Sequence, residues 1–375
     1  VSVIAFKRKK SSPEGNKKTV KKVVKKNSPS KELVDLVTLL NKKHGNNALV
    51  FGPELLDRTE VKTRISTGIF ALDIALGGGI PIGRVSEVSG ALSSTKTTSA
   101  VHMLVQAQKM GLKCSFLDVE GTSDKDYLEH LGVDTSVLLY SRPCGLEETT
   151  QMILDFQKSG VINFALWDSI EATPPMIEFF SEMDQTVQMG SRPKLLGEFF
   201  RKFQANNNLL SREGKMPFTL VATNQLREKI GSFGDIEYCP GGRATGFYAS
   251  IQVRYRRGDW IAIGTKDKKV QVGQINKFKI FKNKVDTPYK TGEFDFYFSE
   301  RNEAGVKKLF FDNEKSVVQE AVFWGIVVKS GSWYTYKDFK CQGVEEMVCY
   351  FRDKPDEVES IKQQVLEITR KVKLE

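Results

Sequence analysis

Leu33, Val37 and Leu40 recur at i, i+4 and i+7, a spacing that predicts a short amphipathic helix over roughly 30–44. Gly45-Asn46-Asn47 ends it, and a loop around 57–64 leads to a second short helix within Gly68–Gly77. From there, strand-length apolar runs alternate with amphipathic stretches. Strands are expected at 85–89, 113–119, 136–140, 164–167 and 218–223, with helices at 97–110, 124–131, 146–158 and 194–209. Such alternation predicts a mostly parallel sheet covered on both faces, an α/β architecture. Beyond 246 the pattern becomes β-rich, with strands at 247–255, 260–263, 276–284 and 293–298. A smaller mixed region, about 300–375, finishes in a charged helix over 357–373.

Composition changes this picture in one place. The chain of 375 residues carries a formal charge of +10. Residues 1–30 hold ten Lys or Arg against one acid, Glu14, so the rest of the chain sums to about +1. With few large apolar residues and several Ser, Pro and Gly, residues 1–28 read as a disordered basic tail, either an arm for nucleic acid or a solubility or localisation tail. No apolar run reaches the roughly 18–20 residues of a membrane span. Five widely spaced cysteines and three histidines form no metal-ligand spacing and no disulfide framework, which points to a reducing cytosol.

The candidate chemistry lies where ligands of parallel sheets bind, beyond the carboxyl ends of strands. The strand at 85–89 runs into Gly90-Ala-Leu-Ser93-Ser94-Thr95-Lys96-Thr97-Thr98, close to the phosphate loop G-x-x-x-x-G-K-[ST]. That loop cradles phosphates with backbone N–H groups and a helix N-terminus, while its Lys neutralises charge and its hydroxyl holds Mg²⁺. Thr95 stands in place of the second glycine. If that position needs φ > 0, a β-branched residue costs about 1–2 kcal/mol there, up to about ten-fold in nucleotide affinity. Three further strand ends carry polar groups: Asp118-Val-Glu120, Asp168-Ser169 and Asn224-Gln225. Glu120 could orient an attacking water and Asp168 hold Mg²⁺ through water. The plainer alternatives are a buried cap for Glu120 and helix N-caps for Asp168 and Asn224.

In order and spacing these segments resemble bacterial RecA recombinases. So do Ile65-Ser-Thr-Gly68, Asn224–Gly231, Gly241-Gly242, Phe247-Tyr-Ala-Ser250, Lys282-Asn-Lys284 and Trp333-Tyr-Thr-Tyr336. The likeness covers roughly 30–375, and its divergence points to a phage- or plasmid-borne relative acting in the cytoplasm of a bacterial host. It implies a RecA-type P-loop ATPase core over 63–299, an N-terminal helix and oligomerisation segment over 29–62, and a small α+β C-terminal domain over 300–375 that captures duplex DNA. It implies an ATP- and Mg²⁺-dependent recombinase, a DNA-dependent ATPase forming helical filaments on single-stranded DNA and pairing it with double-stranded DNA.

Carried over residue by residue, Gly90, Ser93, Ser94, Thr95, Lys96, Thr97 and Thr98 take the triphosphate, Thr97 and Asp168 the metal, and Glu120 the catalytic water. Asp124 and Tyr127 hold adenine. Gln225 senses the γ-phosphate, and Lys282 and Lys284 reach the neighbouring subunit's ATP. Phe247 lies at the subunit interface. A first DNA-binding loop, about 178–194, contributes Met189, Gly190, Arg192 and Lys194, with Arg201 beyond it. A second, about 226–242, contributes Arg227, Lys229, Ile230, Gly231, Gly241 and Gly242, with Arg243 following. Arg and Lys would contact phosphates, glycines would let the backbone approach, and Met189 and Ile230 could wedge between bases. Without the resemblance both loops would read as surface loops. The alternative function is a non-hydrolysing, DNA-coating filament protein in which Thr95 has removed turnover. A hexameric helicase-like motor is a third, against which Phe247-Tyr-Ala-Ser250 and the Lys282-Asn-Lys284 triplet speak.

Overall fold

A computed structural model describes residues 29–51, 63–182, 190–228, 237–265, 268–298 and 310–372. The basic tail, Met189, Lys229, Ile230 and Gly231 lie outside the described residues. The chain divides into two units, Val1–Val50 and Phe51–Glu375. The first contains helix α1 (Lys31–His44), where the Leu33–Leu40 spacing predicted it. Its Ser30 side chain accepts a hydrogen bond from the Leu33 N–H, an N-cap that satisfies one otherwise orphaned donor.

The second unit is built on a sheet of nine strands among the described residues. Its parallel half comprises β3 (Val85–Gly90), β4 (Cys114–Asp118), β5 (Leu139–Ser141), β6 (Phe164–Asp168) and β7 (Thr219–Gln225). A short pair, β1 (Arg64–Ile65) and β2 (Ile80–Pro81), flanks α2 (Phe70–Leu76). Between the parallel strands run α3 (Lys96–Lys109), α4 (Lys125–His130), α5 (Leu146–Ser159), α6 (Met176–Phe179) and α7 (Ser191–Arg212). After β8 (Arg227–Glu228) and β9 (Glu237–Tyr238) come α8 (Arg243–Tyr248), β10 (Ile251–Thr265), β11 (Lys268–Asn283), β12 (Thr291–Tyr297) and β13 (Phe310–Phe311). The spatial order is β13-β12-β11-β10-β3-β7-β6-β4-β5. Pairing is parallel from β10 through β5 and antiparallel from β10 outward.

The apolar runs in the parallel strands are continuous because both faces are covered. In β6, Phe164 and Leu166 enter the cluster beneath α3, whereas Ala165 and Trp167 enter the cluster beneath α5 and α7. The same two-residue alternation sends Phe116 one way and Leu117 the other in β4. A third cluster joins α9 (Asn313–Phe323), β15 (Trp333–Tyr336), β16 (Phe339–Gln342), α10 (Val344–Arg352) and α11 (Pro355–Val372), with β14 (Val328–Ser330) paired to β15 at its exposed edge. It docks on α2 through Phe70, and the Asn313 side chain binds Phe70 N and Gly68 O at 2.9 Å each.

The expected β-rich region needs three corrections. Residues 243–248 are helical, so the strand expected from 247 begins at Ile251. The strands expected at 247–255 and 260–263 are one, because a register shift between Arg257 and Trp260 absorbs the Gly258-Asp259 break as a bulge. Strand β11 starts at Lys268, eight residues before its expected start. Its first four residues are all exposed, so they bury no face and are held by the ladder to β10. Elsewhere, the strand expected at 136–140 is confined to 139–141, and the one at 113–119 stops at Asp118.

Candidate functional site

The phosphate loop leaves β3 at Gly90 and enters α3 at Lys96. A Cβ on Gly90 would lie 2.2 Å from Ser94 Oγ and 3.2 Å from the Tyr255 carbonyl oxygen, so only glycine fits. The Ser94 hydroxyl donates to the Ala91 carbonyl at 2.7 Å, and Gln274 Nε2, from β11, donates to the Ser93 carbonyl at 3.1 Å. These bonds fold the loop around the start of α3. Thr95, the N-cap, has φ 59° and ψ 19°, the left-handed conformation in which a glycine is least costly. The Thr95 side chain does not cap this N-terminus, so the partial positive charge of the helix end is available to an anion.

Beside it, Asp168 ends β6 fully buried. Thr223 Oγ1, from β7, donates to Asp168 Oδ1, while Oδ2 is buried with no hydrogen-bond partner among the described residues. Burial pushes this carboxyl up to about 6, the Thr223 bond opposes the shift, and nearby Glu120 adds to it; the Thr97 hydroxyl and Lys96 ammonium lower it. An orphaned carboxylate oxygen facing a hydroxyl suits a hard divalent cation such as Mg²⁺. Asp168 is no helix N-cap. Glu120 lies two residues past the end of β4, and its Oε1 accepts from the Ser169 hydroxyl at 2.6 Å. Gln225 ends β7 directly opposite Gly90, and the Leu226 N–H reaches the Gly90 carbonyl at 3.4 Å. The strand order β3-β7-β6-β4 therefore sets Gly90, Gln225, Asp168 and Glu120 along one edge.

Asn224 is not an N-cap either, since it is fully buried between the Glu87 carboxylate at 2.8 Å and the Pro240 carbonyl at 3.3 Å. Glu87 also accepts from Gln252 Nε2. Burial and Glu87 push the neighbouring Cys239 thiol up to about 12. At the other flank, Asp124 caps α4 by accepting from Tyr127 N at 2.7 Å, and Tyr127 OH lies 3.0 Å from Thr98 Oγ1. Tyr127 therefore meets the phosphate-loop helix at its first turn.

Lys282 and Lys284 do not join this edge in the same chain. In register, Lys282 pairs with Gln252, itself opposite Glu87, three residues back from Gly90. Both ammonium groups donate to the carbonyls ending α8: Lys282 to Gly246 and to Phe247 at 3.1 Å, Lys284 to Phe247 at 3.0 Å. The Phe247 ring is exposed. Burial and the neighbouring Lys284 pull Lys282 down to about 8.

The roots of the two loops pack together. Gly190, at φ 100°, caps α7, whose first turn carries Arg192 and Lys194. Gly241 and Gly242 have φ 96° and 81°, and a Cβ on them would meet Leu196 at 3.1 Å and Pro193 at 3.0 Å. Arg243 is exposed at the start of α8. Arg201 is exposed farther along α7, roughly 14 Å down the axis from Arg192, and is not brought to these roots. Between them sits Glu171, whose carboxylate binds Arg192 and Arg227 together. Neither Glu171 nor the contributions of Thr223, Ser169 and Gln274 carried a sequence signal, because each is defined by a partner at least 21 residues away.

The chain matches the family model for the RecA N-terminal domain over residues 31–303 and that for the RecA C-terminal domain over 315–370. It is 38% identical over 353 residues to a curated "Protein RecA" of Corynebacterium efficiens, covering 93% of this chain and 86% of that one. It is 37% identical to the Corynebacterium glutamicum (strain R) protein of the same name over 355 residues, with 93% and 88% coverage. With that of Cutibacterium acnes the identity is 35% over 340 residues, covering 90% and 91%.

Proposed function

The chain belongs to the RecA family, and from that premise we propose that it is a DNA-dependent ATPase of homologous recombination. On this reading it assembles as a helical filament on single-stranded DNA in a bacterial cytoplasm and pairs that strand with a homologous duplex. The observation that carries the reading is the single edge at which Gly90, Gln225, Asp168 and Glu120 line up, with Gln225 leading directly into Arg227 at the start of the second loop.

Each residue then has a defined task. The loop amides, the α3 N-terminus and Lys96 bind the triphosphate of ATP. Thr97 and Asp168 would hold Mg²⁺, which supplies charge neutralisation on the phosphate oxygens when bound. Glu120, fixed by Ser169, orients a water and accepts its proton. Gln225 links the triphosphate edge to the DNA loops. Arg192, Lys194, Arg227 and Arg243 contact the DNA backbone without reading sequence, as exchange by base pairing needs. Lys282 and Lys284 supply charge to the neighbouring subunit's site, in the manner of an arginine finger. In the C-terminal region Lys340 lies 5.1 Å from the Trp333 ring centroid, an exposed basic and aromatic pair suited to duplex capture.

ATP turnover of the full chain with and without single-stranded DNA tests this reading. Stimulated turnover is expected, with Glu120→Gln losing at least 100-fold while still binding ATP. Normal turnover in Glu120→Gln would show that the base is misassigned. Absence of turnover in the unaltered chain would leave only the DNA-coating alternative.

A further inference from the structure

We infer that Glu171 is a built-in competitor of DNA for Arg227, the arginine that opens the second loop. The inference rests on the proposed DNA-binding role of the two loop roots and adds a residue that this role does not require. Glu171 follows β6 in the turn beyond Ser169, and its side chain is only 9% exposed. Its Oε2 accepts from Arg192 Nη1 at 3.0 Å, and its Oε1 accepts from Arg227 Nη2. Arg192 Nη1 also donates to the Glu171 carbonyl at 3.2 Å, and Arg192 Nη2 lies 3.9 Å from Glu178. One carboxylate is thus shared by an arginine from each loop.

The two arginines are not equivalent. Arg192 is 19% exposed and has two further oxygens near it, whereas Arg227 is 57% exposed and is bound to Glu171 through one nitrogen. Stripping both from Glu171 would leave a mostly buried carboxylate unpaired, the costly way to break an ion pair. Losing Arg227 alone leaves Glu171 compensated by Arg192. Arg227 is therefore the member that transfers to a phosphate oxygen, which offers the same fork-shaped acceptor geometry as a carboxylate. Arg192 keeps Glu171 compensated through Nη1, whichever phosphate its other nitrogens meet. Glu171 is a positioning residue: it holds Arg227 at the loop root and sets a threshold that a DNA phosphate must exceed.

The test is fluorescence anisotropy of a labelled oligo-dT strand with the full chain at two salt concentrations, with and without ATP. Glu171→Gln, which keeps the shape and an acceptor oxygen for Arg192, is expected to bind at least five-fold more tightly at the lower salt. In an Arg227→Gln background the same change is expected to alter affinity less than two-fold, an interaction that a merely structural Glu171 would not produce. Glu171→Asp, one methylene shorter and unable to span both arginines, is expected to bind more tightly than the unaltered chain, and it carries the test if Glu171→Gln fails to fold. Weaker or unchanged binding in the folded Glu171 variants, or equal effects with and without Arg227, would overturn the inference. If Arg192→Gln and Arg227→Gln each leave affinity unchanged, it is the DNA-loop reading that falls.

Discussion

Replacing Thr95 by glycine separates two places where backbone strain can be felt. At φ 59° a β-branched residue sits about 1–2 kcal/mol above glycine. Glycine returns about 0.5–1 kcal/mol of that through its greater freedom in the unfolded chain. The net gain is about 0–1.5 kcal/mol in the folded, ligand-competent loop. If the loop keeps this conformation throughout, the gain is a stability gain. At about 2.1 cal/mol/K per residue of unfolding entropy, 1 kcal/mol raises the melting temperature of a chain this long by only about 1 °C. If the loop relaxes whenever no phosphate holds it, relief appears as tighter ATP binding, up to about ten-fold. Differential scanning calorimetry and a fluorescent-nucleotide titration of the same Thr95→Gly preparation read both. The sum of the two gains is expected to be positive. A variant that both melts lower and binds ATP more weakly would refute the strain argument, and would mean that the Thr95 side chain, which donates to the Ser94 carbonyl at 2.6 Å, contributes more than its backbone costs.

Other expectations follow from charge and burial. His102 is half-buried, its Nε2 buried and its ring against Phe311, and this burial pulls it down to about 4, with Lys109 adding to the shift. Its folded pKa lies below its unfolded value of about 6.5, so its contribution to stability is present above pH 6.5 and lost as pH falls towards 4. The loss amounts to about 3 kcal/mol at pH 4. Denaturant titrations of the unaltered chain and of His102→Leu should differ in slope over that window, and parallel pH profiles would contradict the assignment. Lys282, pulled down to about 8, should lose its charge in mildly alkaline solution, so ATP-dependent assembly followed by light scattering should fall above pH 8 and be restored by Lys282→Arg. Lys284→Ala should impair turnover only in assembled protein; equal loss in dispersed subunits would contradict a role across subunits. Removing residues 1–28 should lower DNA affinity in a salt-sensitive way and leave turnover without DNA unchanged.

Much of the parallel core was legible because both faces of its strands are buried. Runs such as Phe164–Asp168 then stand out, and the polar residue that ends each run marks the site edge. The first turn of α4 was legible for a related reason: a helix start must satisfy its own N–H groups locally, as Asp124 does. The exposed half of β11 was hidden, since Lys268 to Gln271 are strand only by virtue of the ladder to β10. Helix α8 was hidden by Phe247 and Tyr248, aromatic residues that favour strands until a left-handed glycine such as Gly242 starts a helix turn. The buried Glu87 network and the shared carboxylate of Glu171 depend on pairings across 21 to 165 residues, which no local pattern encodes.

The pairing of Gly90 with Gln225 has a mechanical consequence. Neighbouring strands are about 4.8 Å apart, so the first residue of the phosphate loop and the last residue before the second loop are separated by a single rung of the ladder. The Leu226 N–H hangs on the Gly90 carbonyl itself. Any tilt of that peptide plane is applied to the suspension point of the second loop, with no intervening side chain to dissipate it. Leverage then comes from the loop's own length, so lengthening or shortening the segment between Arg227 and Gly241 should change the stroke while leaving the trigger as it is.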